Sequence, residues 1–212
     1  MKVVLATTNR GKVRELAQML GNEVELLSLE DVISGPYEVE ETGQTFEENA
    51  QIKAMAAVMA TGLPALAEDS GLVVDALAGA PGVYSARFAG PGASDDDNNQ
   101  LLMERLATLA DSERSARFVS VLCLAEPTSL VPLGEAGAKL LGFGRGEVEG
   151  RIVQKPRGSL GFGYDPLFEP LTTPGRTTGE MGLEEKNELS HRGRAVTALR
   201  PTLLAWLKAV SP

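Results

Sequence analysis

The chain has 212 residues, 43% of them hydrophobic, so its length and composition suit one domain with a substantial core. It carries 20 lysines and arginines against 29 aspartates and glutamates, and this net charge of -9 argues against a protein that holds DNA or RNA by its phosphates. The sequence has no apolar run of about 18 residues and no signal-peptide pattern, so we expect a cytoplasmic protein that forms one domain over 1–212 and binds neither nucleic acid nor membrane.

Hydrophobic periodicity predicts that strands alternate with helices in the first third of the chain. We expect three strands, at 2–6, at about 24–28, and a third that carries Glu68 and Asp69 at its end. The first helix has Val13, Leu16 and Leu20 on one face. Thr45 with Glu48 three residues later is the capping-box pattern, and it precedes an Ala-rich helix that extends to about residue 60.

The third strand carries two acids, Glu68 and Asp69, directly before Ser70 and Gly71. Hydrophobic residues on both sides indicate a buried strand, so the scaffold positions the acids at its end, as expected for residues that handle a metal or a water molecule. The same four residues are also typical of a tight turn. We expect the strand to end at this turn, and the four residues alone do not decide between the two interpretations.

The rest of the chain predicts further strands and two helices. We expect strands at 115–126, 130–141, 147–154 and 164–168, and helices at about 95–109 and 191–209. The sheet is therefore expected to be mixed. Pro201 lies within the last helical pattern and predicts a kink or a break. Cys123, the single cysteine, lies in an apolar run, and this favours packing over chemistry.

A polar loop follows the first strand and leads into the first helix. The free N–H groups of a helix start, together with hydroxyl groups and a lysine one turn later, favour a phosphate-binding loop, although a plain helix cap has similar residues. The loop residues are Thr7, Thr8, Asn9, Arg10, Gly11 and Lys12. A Walker A loop is disfavoured, because it requires Gly where Ala6 stands and Ser or Thr where Val13 stands.

An acidic run, Glu38 to Glu41, precedes the helix that carries Asn49 and Lys53. Such a run is usually a solvated surface. Together with Glu68 and Asp69 it provides carboxylates for Mg²⁺, which keeps most of its waters and takes one or two protein carboxylates plus phosphate oxygens. The sequence has no Cys/His grouping spaced for zinc.

Glycines surround Phe162 in the segment 158–166, so a flat ligand can lie against its ring. Asp165 in the same segment can accept hydrogen bonds from a base or a ribose. The alternative is a Gly-rich turn around a core phenylalanine. His191, the single histidine, stands beside Arg192. A serine hydrolase is disfavoured because the chain has no Gly-x-Ser-x-Gly elbow, and no helix pattern follows the glycines at 142, 144 and 146 to support a dinucleotide fingerprint.

Six ordered motifs between residues 7 and 193 resemble those of the inosine triphosphatase, or Ham1-like, family. They are Thr-Thr-Asn-Arg-Gly-Lys, Glu-Glu-Thr-Gly with a following Glu-Asn-Ala, Glu-Asp-Ser-Gly-Leu, Gly-Val-Tyr-Ser-Ala-Arg, Gly-Phe-Gly-Tyr-Asp-Pro and Ser-His-Arg-Gly. The resemblance implies an α/β fold with an elongated mixed sheet flanked by helices, in two lobes with an active-site cleft between them.

The resemblance also implies an activity: Mg²⁺-dependent hydrolysis of ITP, dITP or XTP to the monophosphate and pyrophosphate, usually by a homodimer. It implies that Asp69 is the general base and that Glu41 and Asp69 bind the metal. The polar loop would hold the triphosphate, with Lys53, Ser70 and Arg87 nearby. The residues expected around the nucleoside are Phe162, Gly163, Tyr164, Asp165, Lys186, His191 and Arg192.

One position departs from the family pattern, because Glu68 stands where many relatives have aspartate. This leaves Asp69 as the firmer choice for catalysis. Two other functions remain open from the sequence: a hydrolase of modified pyrimidine triphosphates, and a sensor that binds purine nucleotides without turnover.

Overall fold

The computed structural model describes residues 1–128 and 137–210. Within these residues six strands form one sheet in the order β2-β1-β3-β4-β5-β6. The strands are β1 (Lys2–Leu5), β2 (Glu25–Ser28), β3 (Ala65–Val74), β4 (Ser115–Pro127), β5 (Ala138–Ile152) and β6 (Phe168–Pro170). β1 pairs in parallel with β2 and with β3, whereas β5 and β6 are antiparallel, so the sheet is mixed as predicted.

Helices precede and follow these strands, as expected for an α/β protein. The α-helices in the described residues are α1 (Arg10–Leu20), α2 (Leu29–Val32), α3 (Phe46–Thr61), α4 (Asp95–Arg105), α5 (Leu183–Leu189) and α6 (His191–Val210). Short 3₁₀ helices lie at Asp75–Leu77, Gly82–Arg87, Asp111–Glu113 and Thr178–Glu180. No helix in the two described ranges is long and apolar enough to cross a membrane.

Local capping explains where α1 and α3 begin and where α3 ends. The Asn9 side chain accepts a hydrogen bond from the Lys12 N–H at 3.1 Å, so Asn9 caps α1. The predicted capping box between Thr45 and Glu48 is confirmed at the start of α3. α3 ends at Gly62, whose left-handed φ of 65° is unfavourable for residues with a side chain.

The chain divides into two compact units, each built from discontinuous segments. Unit 1 consists of Met1–Asp69, Ser120–Gly146 and Arg192–Pro212, and unit 2 of Ser70–Val119 and Glu147–His191. Each unit has its own apolar core, with Leu5, Leu16 and Leu122 in the first and Leu72 and Phe168 in the second. The single domain over 1–212 stays a prediction.

The expected turn at Ser70 and Gly71 is wrong, because β3 continues to Val74. Apolar residues resume directly after Gly71, and Leu72 and Val74 are fully buried. Their burial in the core of unit 2 keeps the backbone extended through the polar residues. Asp69 therefore lies within a strand, and its neighbours in the chain hold it on both sides.

Other predicted boundaries also differ from the structure. The strands expected at 130–141 and 147–154 are one strand, β5, although residues 129–136 lie outside the described part of the chain. The strand expected at 164–168 begins only at Phe168, and α4 ends at Arg105 rather than near 109. The expected break at Pro201 is wrong, since α6 continues through this residue, while a bend there stays a prediction.

The glycines at 142 and 144 lie inside β5, where a close approach to α6 explains at least one of them. A methyl group at Gly144 would meet the carbonyl oxygen of Ala195 and would lie 2.6 Å from the backbone nitrogen of Leu199. A backbone that close cannot move aside without displacing the helix. Gly144 is therefore a packing residue.

We expect Gly144→Ala to lower the free energy of unfolding by about 1–3 kcal/mol, the usual cost of overpacking. Gly142→Ala is the matched control, because its methyl group would meet the Cγ2 atom of Thr202 at 3.1 Å, and a side chain can adjust where a backbone cannot. Urea denaturation measures both. Equal losses for the two variants would contradict the close approach at Gly144.

Cys123 lies in β4 and is fully buried. Burial raises the pKa of its thiol to about 12, so the reactive thiolate form is scarce at neutral pH. The prediction that Cys123 serves packing is in accord with both observations.

Candidate active site

Asp69 and Glu41 lie on either side of one cation in unit 1. The Nζ atom of Lys53 is 2.7 Å from Oδ1 of Asp69 and 3.1 Å from Oε1 of Glu41. Lys53 comes from α3, Asp69 from β3, and Glu41 from the irregular segment that precedes α3. The structure therefore brings together the two predicted metal ligands and one of the predicted phosphate-binding lysines.

Asp69 is only 5% exposed. Burial raises its pKa, and the opposing effect of Lys53 does not cancel this shift. A carboxylate with a raised pKa accepts a proton from water more readily than an ordinary surface aspartate does. The environment of Asp69 therefore suits the role of a general base.

Asn49 connects the two sides of this site, although the sequence analysis gave it no role. Its Oδ1 atom accepts a hydrogen bond from the Gly43 N–H at 2.9 Å, and its Nδ2 atom donates to Oδ2 of Asp69 at 3.5 Å. Asn49 and Lys53 are four residues apart on α3, so they share a face of the helix. The available sequence signal was an amide residue in an Ala-rich helix, one turn before Lys53, and the structure shows that this amide is fully buried.

Glu68 does not face the cation of Asp69 but belongs to a buried ion cluster. Arg192 Nε lies 2.9 and 3.0 Å from the two oxygens of Glu68, and the Ser120 hydroxyl donates to Oε1 of Glu68 at 2.7 Å. Arg192 also pairs with Glu15 of α1. Burial alone would raise the pKa of Glu68, but Arg192 and Lys12 outweigh it and hold the pKa far below its usual range.

Arg192 is thus placed with Glu68 and Glu15 in unit 1, with 1% of its surface exposed. The family resemblance implied a place for Arg192 beside the nucleoside. In the structure its guanidinium contacts carboxylates that belong to α1 and β3. Contact between Arg192 and a base stays a prediction.

The polar loop Thr7–Lys12 lies at the start of α1, as predicted. The hydroxyl of Thr7 accepts a hydrogen bond from the Asn9 N–H at 3.2 Å, and this shapes the turn into the helix. Thr8, Asn9 and Arg10 are exposed, and Lys12 extends inward to 3.8 Å from Glu68. Burial, with Lys53 and Arg192 contributing, lowers the pKa of Lys12, although Glu68 opposes the shift. The loop thus presents exposed polar groups around a confined lysine.

Unit 2 contains a second cluster of predicted site residues, centred on Asp165. One carboxylate oxygen of Asp165 accepts hydrogen bonds from the Phe162 N–H at 2.8 Å and from Nζ of Lys186 at 2.7 Å. The other accepts from the Thr178 hydroxyl at 2.9 Å. Asp165 is 2% exposed. Its carboxylate therefore holds the glycine-rich segment and Lys186 in place through these hydrogen bonds. Thr178 also belongs to this cluster, although it lies outside the segment 158–166 and no sequence pattern indicated it.

The remaining nucleoside candidates surround this cluster. Lys186 Nζ lies 4.8 Å from the centre of the Phe162 ring, a cation–π contact. His191 is buried and stacks on Phe118, with ring centres 4.7 Å apart. Tyr164 is a core residue whose hydroxyl donates to the Ser85 carbonyl at 2.9 Å.

Three predicted site residues remain, namely Gly163, Ser70 and Arg87, and each lies in a different local environment. The Gly163 N–H donates to Oδ2 of Asp95 at 2.6 Å, so the acidic start of α4 holds the glycine-rich segment. Ser70 follows Asp69 in β3. The guanidinium of Arg87 lies 5.2 Å from the centre of the Tyr84 ring. Ser70 and Arg87 remain candidates for phosphate contacts.

The carboxylates of Glu41 and Asp69 fit a hard divalent cation. They already converge on one positive charge, the ammonium of Lys53. Mg²⁺ is commonly held by one or two carboxylates while it keeps several waters and takes substrate oxygens. Across the described residues no group of three or more acidic, histidine or cysteine side chains is arranged for a metal. The two carboxylates therefore suit Mg²⁺ that also takes oxygens from a phosphorylated substrate.

Unit 1 combines features that recur in enzymes acting on phosphorylated substrates. A helix N-terminus with exposed polar groups, a lysine in the first helical turn and a buried carboxylate next to a cation all lie in this unit. With its mixed sheet flanked by helices, the chain is an α/β enzyme of this class.

The chain belongs to the Ham1 family, because the family model described as "Ham1 family" matches residues 3–202. The resemblance inferred from the six motifs is thereby confirmed. Among curated proteins, it is similar to the dITP/XTP pyrophosphatase of Symbiobacterium thermophilum, with 50% identity over 98% of this chain and 97% of that protein. The dITP/XTP pyrophosphatase of Geobacter sulfurreducens is 51% identical over 95% of this chain and 96% of its own length.

Solved structures confirm the α/β fold class. A HAM1 protein from Coxiella burnetii superposes with a TM-score of 0.79 at 41% sequence identity, covering 97% of this chain and 99% of that one. The Staphylococcus aureus Ham1 protein gives a TM-score of 0.78 at 34% identity, with 100% of both chains covered.

Proposed function

We propose that this chain hydrolyses the triphosphates of noncanonical purines, dITP, XTP and ITP, to the nucleoside monophosphate and pyrophosphate. Relatives named dITP/XTP pyrophosphatase, about half identical over nearly the whole chain, support the substrate class. The observation that carries the chemistry is the buried carboxylate of Asp69, with Lys53 and Glu41 beside it.

Asp69 is the proposed general base. It takes a proton from a water molecule, whose oxygen attacks the α-phosphorus, and the bond from that phosphorus to the bridging oxygen breaks as pyrophosphate leaves. A carboxylate has about four lone-pair directions. Oδ1 of Asp69 faces the cation while Oδ2 faces the Asn49 amide, so one oxygen can contact a cation while the other accepts the proton.

Glu41 and Asp69 are the proposed ligands of Mg²⁺. When bound, this ion neutralises phosphate charge and polarises the oxygens at the reacting phosphorus. Groups of the chain itself bind the phosphates and add further positive charge. The polar loop Thr7–Lys12 and the helix dipole of α1 hold the phosphate chain, and Lys53 adds positive charge against the net negative charge of the protein.

Lys186 and Phe162 are proposed to receive the base in unit 2. Hypoxanthine and xanthine present a 6-oxo acceptor, whereas adenine presents a 6-amino donor. An ammonium can only donate, so Lys186 would leave the adenine amino group facing another donor, and such mismatches discriminate strongly. In this proposal Asp165 is a positioning residue, because it holds Lys186 and the Phe162 backbone.

The products of hydrolysis test the proposed function. We expect the purified chain to release pyrophosphate from dITP, XTP and ITP at least ~100-fold more efficiently than from ATP, the scale that a buried donor–acceptor mismatch gives. EDTA is expected to stop turnover. GTP and modified pyrimidine triphosphates are tested as further substrates in the same assay.

Four outcomes would overturn this function. Release of orthophosphate alone, or turnover that chelation does not affect, contradicts the chemistry. A preference for modified pyrimidine triphosphates indicates a different hydrolase. Tight purine nucleotide binding without any product indicates a sensor. The homodimer and the cytoplasmic location stay predictions, and light scattering on the purified chain tests the first.

A further inference from the structure

Lys53 occupies the position between the two proposed metal ligands. Its ammonium is 2.7 Å from Oδ1 of Asp69 and 3.1 Å from Oε1 of Glu41. All three side chains are largely enclosed, since the exposed fraction of the side chain alone is 14% for Lys53, 7% for Asp69 and 25% for Glu41. The chain's own cation therefore lies where a divalent cation would have to bind.

We propose that Lys53 is an internal counter-ion that pairs Glu41 with Asp69 in the metal-free protein and must leave this position when the two carboxylates bind Mg²⁺. The inference rests on the proposed function, since that function supplies the metal and the anionic substrate. Two enclosed carboxylates without a cation between them would repel each other. An ammonium and a divalent ion between the same oxygens would repel each other as well.

The surroundings of Lys53 permit this exchange. α3 begins with a capping box and ends at a left-handed glycine, so its backbone is well defined. Lysine, by contrast, carries its charge on a flexible four-carbon stem that can change direction. Asn49 accepts a hydrogen bond from the Gly43 N–H and donates one to Asp69, and neither contact involves the lysine. The carboxylates can therefore keep their places while the ammonium moves.

The displaced ammonium requires a new anionic partner, and the phosphate chain of the substrate is one. Metal binding is then weak without nucleotide, because displaced Lys53 loses its ion pairs with two carboxylates and no phosphate group is present to replace them. With nucleotide present, the Lys53 ammonium exchanges the two carboxylates for the phosphate groups of the substrate. By linkage, nucleotide and metal each raise the affinity of the protein for the other.

Mn²⁺ binding to the nucleotide-free protein tests this, with free Mn²⁺ measured by electron paramagnetic resonance. We expect Lys53→Met to bind Mn²⁺ at least ~10-fold more tightly than the wild-type chain, a moderate coupling between two sites. Lys53→Arg keeps the charge and should bind as weakly as wild type. Lys208→Met is the matched control, since it removes an exposed lysine from α6, and its Mn²⁺ affinity should equal that of wild type.

A second measurement adds an ITP analogue with a methylene group between the α and β phosphorus atoms. We expect it to tighten Mn²⁺ binding more in the wild-type chain than in Lys53→Met, so that the difference between them shrinks. If Lys53→Met does not fold, Lys53→Gln replaces it and keeps a polar group. Mn²⁺ affinity that neither neutral variant raises would overturn the proposal.

These outcomes are separable from those of the proposed function. A chain that fails to release pyrophosphate from dITP contradicts the proposed function, yet tighter Mn²⁺ binding by the neutral variants would still support the counter-ion. Conversely, an active enzyme whose neutral Lys53 variants bind Mn²⁺ as wild type does would contradict the counter-ion alone.

Discussion

Asp69→Asn is expected to abolish most of the turnover of dITP while the protein remains folded and continues to bind nucleotide. Loss of a general base typically costs about 10²–10⁴-fold in rate. The amide has nearly the same shape as the carboxylate, and its oxygen can still accept a hydrogen bond from Asn49 or Lys53. The loss should therefore fall on kcat, which steady-state assays measure, and nucleotide affinity measured by calorimetry should change much less.

Asp96→Asn is the matched control for Asp69→Asn. Asp96 is exposed in the first turn of α4, and its replacement removes the same charge from the protein without touching the buried carboxylate. Its turnover should equal that of wild type. Near-normal rates for Asp69→Asn would show that the general base has been misassigned, and a strongly weakened nucleotide affinity with unchanged kcat would favour a purely binding role.

Local sequence patterns account for much of the fold, because each depends on neighbours a few residues apart. The capping box at Thr45, the cap at Asn9 and the apolar faces of α1 and α6 are of this kind. The strand through Ser70 was missed for a related reason. Ser and Gly are typical turn residues, and only burial of the following apolar residues in a core keeps them extended.

The candidate site was predictable only in part. The apolar run before Asp69 predicted that this residue ends a strand, whereas β3 continues beyond it to Val74. No local pattern predicts that Lys53 contacts both Asp69 and Glu41. The pairing of Arg192 with Glu15 spans 177 residues, so neither partner predicts the other. Side-chain pairing across such distances follows from the packing of β3 with distant helices, and periodicity carries no information about it.

Asp165 illustrates the same limit within a motif. The sequence predicted a carboxylate that binds the nucleoside. In the structure its oxygens accept hydrogen bonds from Phe162, Thr178 and Lys186. The motif identified an important residue, while the direction of its hydrogen bonds depended on Thr178, which comes from another segment of the chain.

Arg192→Met is expected to destabilise the protein by about 3–5 kcal/mol, because it removes a buried guanidinium that contacts two buried carboxylates. Arg192, Glu68 and Glu15 are each at most 3% exposed. One planar guanidinium contacts both carboxylates, and a lysine ammonium has no such fork, so Arg192→Lys should recover only part of the loss. Urea denaturation at neutral pH measures the free energy of unfolding for each variant.

The pH dependence of stability distinguishes this charge effect from a simple loss of packing. In the wild-type chain the pKa of Glu68 is lowered below its ordinary value of 4.5, so its contribution to stability is present above that value and is lost as the pH falls. Without Arg192, burial is still opposed by Lys12 and Ser120 but no longer by the guanidinium, so the folded-state pKa of Glu68 rises relative to that of the wild-type chain. The variant should then lose less stability than wild type as the pH falls, and its deficit should shrink as the pH is lowered from 7. Replacing Glu15 and Glu68 by Gln in the same variant should also reduce the deficit at pH 7. A deficit that neither lower pH nor these glutamines reduce would assign the role of Arg192 to packing rather than to charge.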